Sequence, residues 1–338
     1  MIKVTDHSSI YIGDAIEQLS RLIGSDKRVI AITDENVAKY HAALVEQFEH
    51  IVVPAGEAAK SLACAEQLYV ELIERQADRS TLLLAIGGGV VTDLTGFVAA
   101  TYMRGLHFGF VPTTLLAMVD AAIGGKNGVN LNRYKNMVGT FRQPDFVVCD
   151  VSMLQTLSDR DFRSGLAEVI KAAVIADSQL FEKLEHSTFE QLRCDAELLQ
   201  SCVEAAMRVK VEVVRADEFE SGLRRVLNLG HTVAHAIEQQ TSDYTHGEAV
   251  AIGMAEMCRV ALRHSLIMEQ DALKIVALIE HLGFNTAMPV SMDDALRVML
   301  ADKKREGDAL HLILPTSISG VKDVKVACKE LSEFLGIL

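Results

Sequence analysis

Between residues 28 and 149, short runs rich in β-branched and other apolar residues alternate with stretches of helical periodicity. No other feature of the chain restricts its fold as strongly. Residues 28–33, 50–53, 81–86, 108–111 and 146–149 read as strands, while 36–48, 58–76 and the segment opening at Val90 read as helices. Strands joined through helices pair in parallel, and a parallel sheet must be covered by helices on its faces. Past about Asp150 the texture changes. Residues 163–176, 178–185, 196–216, 226–240, 248–264, 270–282 and 293–300 all carry helical periodicity, and only 310–314 reads as a late strand. The expected organisation is an α/β domain over 1–150 followed by a mainly helical domain over 151–338, with no internal repeat or long linker.

At 338 residues, 49% of them hydrophobic, the chain can fill two cores. No apolar run approaches the roughly 20 residues of a membrane-spanning helix. The N-terminus, Met-Ile-Lys-Val-Thr-Asp-His, lacks the apolar centre of a signal peptide, so a cytoplasmic protein is expected. The six cysteines are scattered and include no Cys-x-x-Cys pair, as expected of reduced thiols. A formal net charge of −13 argues against nucleic acid and against an anionic membrane surface as partners. An anionic small substrate would need a local basic pocket set against that overall sign.

The stretch 224–248 inverts the ordinary amphipathic pattern. Arg224, Asn228, His231, His235 and Glu238 follow at steps of four, three, four and three, which on a helix puts all five on one face. Val226, Leu227, Val233, Ala234 and Ile237 lie between them. A narrow polar stripe in apolar surroundings predicts a helix buried on most sides, with one face lining a site. Two histidines one turn apart, with His246 eleven residues on, read as a metal site or as hydrogen-bonded core histidines. Gly165-Leu-Ala-Glu168-Val-Ile-Lys171 repeats the inversion, with Glu168 and Lys171 on one face of an apolar segment. Burying such charges is costly unless they are paired or bound to a metal, so an intrahelical ion pair and a carboxylate ligand are both open.

Gly87-Gly88-Gly89-Val-Val-Thr-Asp93 follows a predicted strand and opens a helix. Glycines there admit a ligand to the backbone, and the helix N-terminus favours an anion; a plain tight turn is the alternative. The pattern matches neither Gly-x-Gly-x-x-Gly nor a Walker loop. Glu57 and Lys60 after a glycine turn suit either a ribose clasp or a capping box. Arg104, Asp120, Lys126, Lys135 and Asn136 stand among the glycines of 105–139, where ammonium and backbone groups can surround a phosphate, or where solvated loop lysines simply sit. Lys210, Glu220 and the Asp302-Lys303-Lys304 run acquire weight only in a fold that gathers them.

Taken together these motifs resemble the 3-dehydroquinate synthase family of the sugar phosphate cyclase superfamily. The resemblance is carried, in order, by the triple glycine with Asp93, Val-Pro-Thr113-Thr114-Leu-Leu, Val-Asp120, Gly-Gly-Lys126 and Lys135-Asn136-Met. It continues through Ser-Gly-Leu-Ala-Glu168-Val-Ile-Lys171, Leu-Asn228-Leu-Gly-His231-Thr, His235-Ala-Ile-Glu, His246-Gly-Glu-Ala-Val and Asp-Lys-Lys304. Each motif alone is weak, and the ordered set from about Gly56 to Lys304 is specific. It implies an N-terminal Rossmann-like α/β domain for NAD, a helical C-terminal domain carrying zinc or cobalt, and substrate in the cleft between them. The implied reaction converts 3-deoxy-D-arabino-heptulosonate 7-phosphate to 3-dehydroquinate and phosphate, a step of the shikimate pathway. It runs by transient oxidation, phosphate elimination, reduction and intramolecular aldol closure.

Carried over residue by residue, the resemblance implies Glu168, His231 and His246 as metal ligands, with His235 and Glu220 for proton transfer. Lys171, Lys210, Arg224 and Asn228 complete the catalytic set. Arg104, Asp120, Lys126, Asn136 and one of Lys303 and Lys304 would bind substrate. NAD would meet Asp34, Glu57, Lys60, Gly88, Gly89, Asp93, Thr113, Thr114, Lys126, Lys135 and Thr156. A homodimer is also implied. Two positions depart from the family pattern: Thr92 replaces a common glycine, and Asn127 a common threonine. Competing readings are inosose- or valiolone-type cyclases and metal- and NAD-dependent alcohol dehydrogenases resembling glycerol dehydrogenase.

Overall fold

Seven strands form one sheet in the order β1-β2-β9-β6-β5-β3-β4. They are β1 (Ile2–Thr5), β2 (Ser8–Ile12), β3 (Val29–Asp34), β4 (Glu49–Val53), β5 (Leu82–Gly87), β6 (His107–Pro112) and β9 (Phe146–Cys149). A separate hairpin pairs β7 (Lys126–Leu131) with β8 (Tyr134–Phe141). The structure is a computed structural model that describes residues 1–132, 134–301 and 308–337. Lys303 and Lys304 lie outside those residues.

All sheet pairings are parallel except β1 with β2. Strands β5 and β9 are buried throughout, and β3 and β6 at all but one position, as parallel strands covered on both faces must be. The edge strand β4 alternates instead, with Ile51 and Val53 buried and Val52 exposed. After β4 has paired on one side of β3, the chain returns to place β5 on the other. That reversal opens a crevice at the carboxyl ends of β3 and β5, where doubly wound sheets bind ligands. Asp34 and Gly87-Gly88-Gly89 lie at those ends.

The chain divides into two compact units, Met1–Ser158 with Lys210–Phe219, and Asp159–Val209 with Glu220–Leu338. The second is mainly helical among its described residues and includes helices Asp159–Ala176, His231–Gln240, His246–Arg263 and Glu269–His281. Its strands β10 (Ala309–Ser317) and β11 (Gly320–Ala327) pair antiparallel. The long helix Ala196–Ala216 starts in the second unit and ends in the first.

The stripe of five polar residues is not one helix face. Residues Leu223–Asn228 form a tight 3-10 segment, and a new helix starts at His231 after Gly230 in the left-handed conformation (φ 78°). Helix His246–Arg263 packs against the break. A β-carbon on Gly253 would lie 2.0 Å from the Gly230 carbonyl oxygen, so the two backbones meet with no side chain between them. Gly253→Ala should therefore overpack this contact and destabilise the protein by about 1–3 kcal/mol, read as a lower midpoint in urea unfolding.

Candidate active site

Three helices of the second unit each deliver one residue to a common point. Glu168 is in the middle of Asp159–Ala176, whereas His231 and His246 are each the first residue of a helix. A capping box fixes the start of the last: Thr245 Oγ1 accepts from the Glu248 N–H at 3.3 Å, and the Thr245 N–H donates to Glu248 at 2.7 Å. Arg160 donates to the same glutamate at 2.9 Å. The Gly247 N–H donates to Ser164 Oγ at 3.0 Å, locking this helix against the one that carries Glu168.

Glu168 is 2% exposed and Lys171, one turn on, 3%. Glu168 Oε2 touches the Lys171 ammonium, and Oε1 lies 3.7 Å from His231 Nε2 and 3.5 Å from His246 Nε2. These are charge contacts: neither carboxylate oxygen accepts a hydrogen bond of sound geometry. Lone pairs left over in so buried a group call for a further cation. One ligand atom from each of Glu168, His231 and His246 lies within 4.8 Å of the others. Tetrahedral bonds of about 2.1 Å would set ligand atoms about 3.4 Å apart, so the carboxylate–imidazole distances suit a divalent metal. One oxygen and two nitrogens fit zinc or cobalt and leave a coordination position open.

The outer nitrogens are also engaged. His231 Nδ1 is 3.2 Å from the Leu229 carbonyl oxygen, which holds the proton there and leaves Nε2 as the ligand atom. His246 Nδ1 lies 3.5 Å from Glu238, the last residue of the polar stripe, whose place beside a ligand its spacing did not reveal. Burial opposes the His246 imidazolium, but the Glu168 and Glu238 carboxylates outweigh it and raise the pKa to about 9. The His231 and His235 rings are 5.9 Å apart, yet His235 is outside the ligand cluster. Asn228 Nδ2 donates to Glu220 at 3.1 Å, and Glu220 holds a strained left-handed backbone (φ 58°). Arg224, only 1% exposed, is the largest fully buried side chain among the described residues.

The first unit gathers a different set. Lys60 pairs with Asp93 at 2.5 Å and Lys210 with Asp120 at 2.6 Å. Burial pushes the Asp93 carboxyl above the usual carboxylate range, against the pull of Lys60 and with added repulsion from Glu57 and Asp120. Gly88 precedes the helix Gly89–Thr101 at the carboxyl end of β5, and no side chain makes a capping hydrogen bond to the N–H groups of its first turn. Thr92 is buried with its hydroxyl donating to the Gly89 carbonyl at 3.1 Å, so this departure leaves those N–H groups clear. Asn127 donates to the Gly125 and Arg142 carbonyls at 3.0 and 2.9 Å and so closes the base of the β7–β8 hairpin.

Other expected cofactor residues do local structural work. Asp34 caps helix Glu35–Tyr40 by accepting from the Asn36 and Val37 N–H groups. Thr114 Oγ1 accepts from the Ala117 N–H, the buried Thr113 donates its N–H to Gly87, and Thr156 Oγ1 is 2.9 Å from His41 Nε2. Glu57, Lys60 and Lys135 line one open pocket of about 400 Å³ with Ser61, Asn130 and Asn132. Lys126 and Asn136 are exposed on the hairpin. Arg104 is exposed on a left-handed turn (φ 66°).

Comparison with solved structures sets the class first. A 2-epi-5-epi-valiolone synthase from Streptomyces hygroscopicus, solved with NAD+ and Zn2+, matches with a TM-score of 0.89 and 28% identity over 99% of this chain and 97% of that one. A 2-deoxy-scyllo-inosose synthase complexed with carbaglucose-6-phosphate, NAD+ and Co2+ matches at 0.85 and 26%, over 96% and 95%. The fold is thus that of the sugar phosphate cyclases. Family models for the N-terminal and C-terminal parts of 3-dehydroquinate synthase match residues 50–164 and 165–305. A 3-dehydroquinate synthase from Desulforamulus reducens is 43% identical over 337 residues, 94% of each chain. The chain belongs to the 3-dehydroquinate synthase family.

Two predictions test the cluster. His246→Ala should lose bound metal, whereas His235→Ala should retain it, as measured by elemental analysis; equal loss in both would refute the division between ligand and non-ligand histidine. Metal uptake by the metal-free protein should release a proton and weaken as the pH falls below about 9, because protons favour the imidazolium that the metal must displace. Calorimetry in buffers of different ionisation enthalpy reads that proton.

Proposed function

We propose that this protein converts 3-deoxy-D-arabino-heptulosonate 7-phosphate to 3-dehydroquinate and phosphate, with NAD used catalytically and a divalent metal, zinc or cobalt. The observation that carries this reading is the Glu168–His231–His246 cluster, built on a buried carboxylate with Lys171 beside it, in a chain of this family. Buried cations such as Lys171 and Arg224 are costly, and a phosphorylated sugar acid gives them a purpose that a simple alcohol does not.

In this reading the second unit carries the metal and the acid–base groups, and the first carries NAD. Glu168, His231 and His246 hold the metal. Glu57, Lys60, Gly88, Gly89, Asp93 and Lys135, with Asp34, Thr113, Thr114, Lys126 and Thr156, hold the cofactor. Bound NAD supplies a reversible hydride acceptor, and the metal supplies Lewis-acid polarisation of a substrate oxygen. The chain's own residues bind, orient and move protons. His235, one helical turn beyond His231, takes and returns a proton at a substrate hydroxyl. Glu220, oriented by the Asn228 amide, serves as the second acid–base group. Lys171 balances Glu168 and donates to a substrate oxygen. Arg104, Lys126, Lys210 and Arg224 meet phosphate and carboxylate oxygens, while Asp120, Asn136 and Asn228 fix hydroxyls. Lys210 is already aimed by its ion pair with Asp120.

We further propose that the protein works as a cytoplasmic homodimer that binds no nucleic acid. The net charge of −13 and four buried free thiols, Cys64, Cys149, Cys202 and Cys258, support that setting. Among the described residues no helix is long and apolar enough to cross a membrane.

One assay tests the reaction. Purified protein with Zn2+ or Co2+ and substoichiometric NAD should release phosphate from the heptulosonate phosphate over many turnovers, with the cyclic product formed in step. No phosphate release, or NADH accumulating in proportion to product, would sink the proposal.

A further inference from the structure

Asn130, on strand β7, has no role in the cofactor or substrate sets above, yet it makes three hydrogen bonds that meet both of them. Its backbone N–H donates to the Lys60 carbonyl at 2.8 Å. Its side-chain Nδ2 donates to Glu57 Oε1 at 2.7 Å, and its Oδ1 accepts the Asn136 backbone N–H at 2.9 Å. Asn136 sits in the left-handed region at φ 54°, a conformation that needs support from its surroundings. The orientation of the amide is determined by its partners. A backbone N–H can only donate and a carboxylate accepts, so a flipped amide would set donor against donor and acceptor against acceptor.

Asn130 also lines the pocket that holds Glu57, Lys60 and Lys135, and Ser61 pairs with it as an isolated parallel bridge. The hairpin carrying Lys135 and Asn136 is thereby tied to the segment carrying Glu57 and Lys60 through one side chain. We propose that Asn130 is a positioning residue that sets the Glu57 carboxylate and the Asn136 backbone together, coupling the arrangement of the cofactor pocket to that of a substrate contact. This rests on the reading above, in which Glu57 meets NAD and Asn136 meets substrate. An amide is required because one end must donate and the other accept. Aspartate keeps the acceptor for Asn136 but sets a second carboxylate against Glu57. Leucine removes both bonds at similar size.

The test uses the full-length, zinc-loaded protein, with NAD+ titrated by calorimetry and substrate KM and kcat measured in parallel. Asn130→Asp should weaken NAD+ binding about tenfold or more while substrate KM stays within about twofold, since only the Glu57 side of the coupling is broken. Asn130→Leu should weaken both. Adding Glu57→Gln to Asn130→Asp restores a donor facing an acceptor and should recover part of the NAD+ affinity, which a purely structural lesion would not. The inference is overturned if Asn130→Asp binds NAD+ like the wild type while Glu57→Ala does not. It is also overturned if Asp and Leu at this position shift both constants equally along with the melting temperature. If Glu57→Ala itself binds NAD+ unchanged, the assignment of Glu57 to the cofactor falls first, and the inference falls with it.

Discussion

The second unit is arranged around one expensive group, the Glu168 carboxylate. Taking an ionised carboxylate out of water costs several kcal/mol unless opposite charge and hydrogen bonds replace its hydration. Lys171 supplies one positive charge from the same helix, and His231 and His246 come from two others. The protein groups leave both carboxylate oxygens without a hydrogen bond, and with His231 and His246 they form a group that could hold a metal ion. The cost of burial is offset when a cation arrives.

That centre depends on backbones that approach unusually closely. Helix His246–Arg263 carries Gly247 against Ser164 and Gly253 against Gly230, with β-carbon positions 2.0 Å from a neighbouring carbonyl oxygen in each case. One helix thereby locks both of its partners, one bearing Glu168 and the other starting at His231. The capping box at Thr245 sets where it begins. In the first unit the equivalent constraint is the reversal of strand order at β3 and β5, which places the uncapped helix start at Gly88-Gly89 at the carboxyl end of β5.

Much of this was legible in residue pattern. The central strands announce themselves because burial on both faces makes them continuous apolar runs, and residues 146–149 have the bounds expected. Strand β8 gave no such signal: its eight residues are mostly exposed, and Asn136 within it, like Asn132 after β7, takes a left-handed conformation that periodicity cannot register. Strand β11 was hidden for a similar reason, since Lys322, Asp323 and Lys325 interrupt its apolar alternation. Asn130 carried no mark at all, as its partners are distant or local backbone groups.

By itself the sequence determined the alternation that makes a parallel sheet, the helical second half and the inventory of charged residues in apolar settings. Spacing along the chain is enough for those, because each is a local or periodic property. Which histidines come together is not fixed by spacing; the family resemblance implies His231 with His246, and the tertiary structure brings those two to Glu168. Along the chain His231 and His235 look like partners, one helical turn apart. In the fold His231 opens its helix just after the left-handed Gly230, whose backbone lies close against Gly253, and its ring meets Glu168 and His246, while His235 stands one turn away. Ligand geometry depends on how helices are set against one another, and that is decided by packing between residues far apart in the chain.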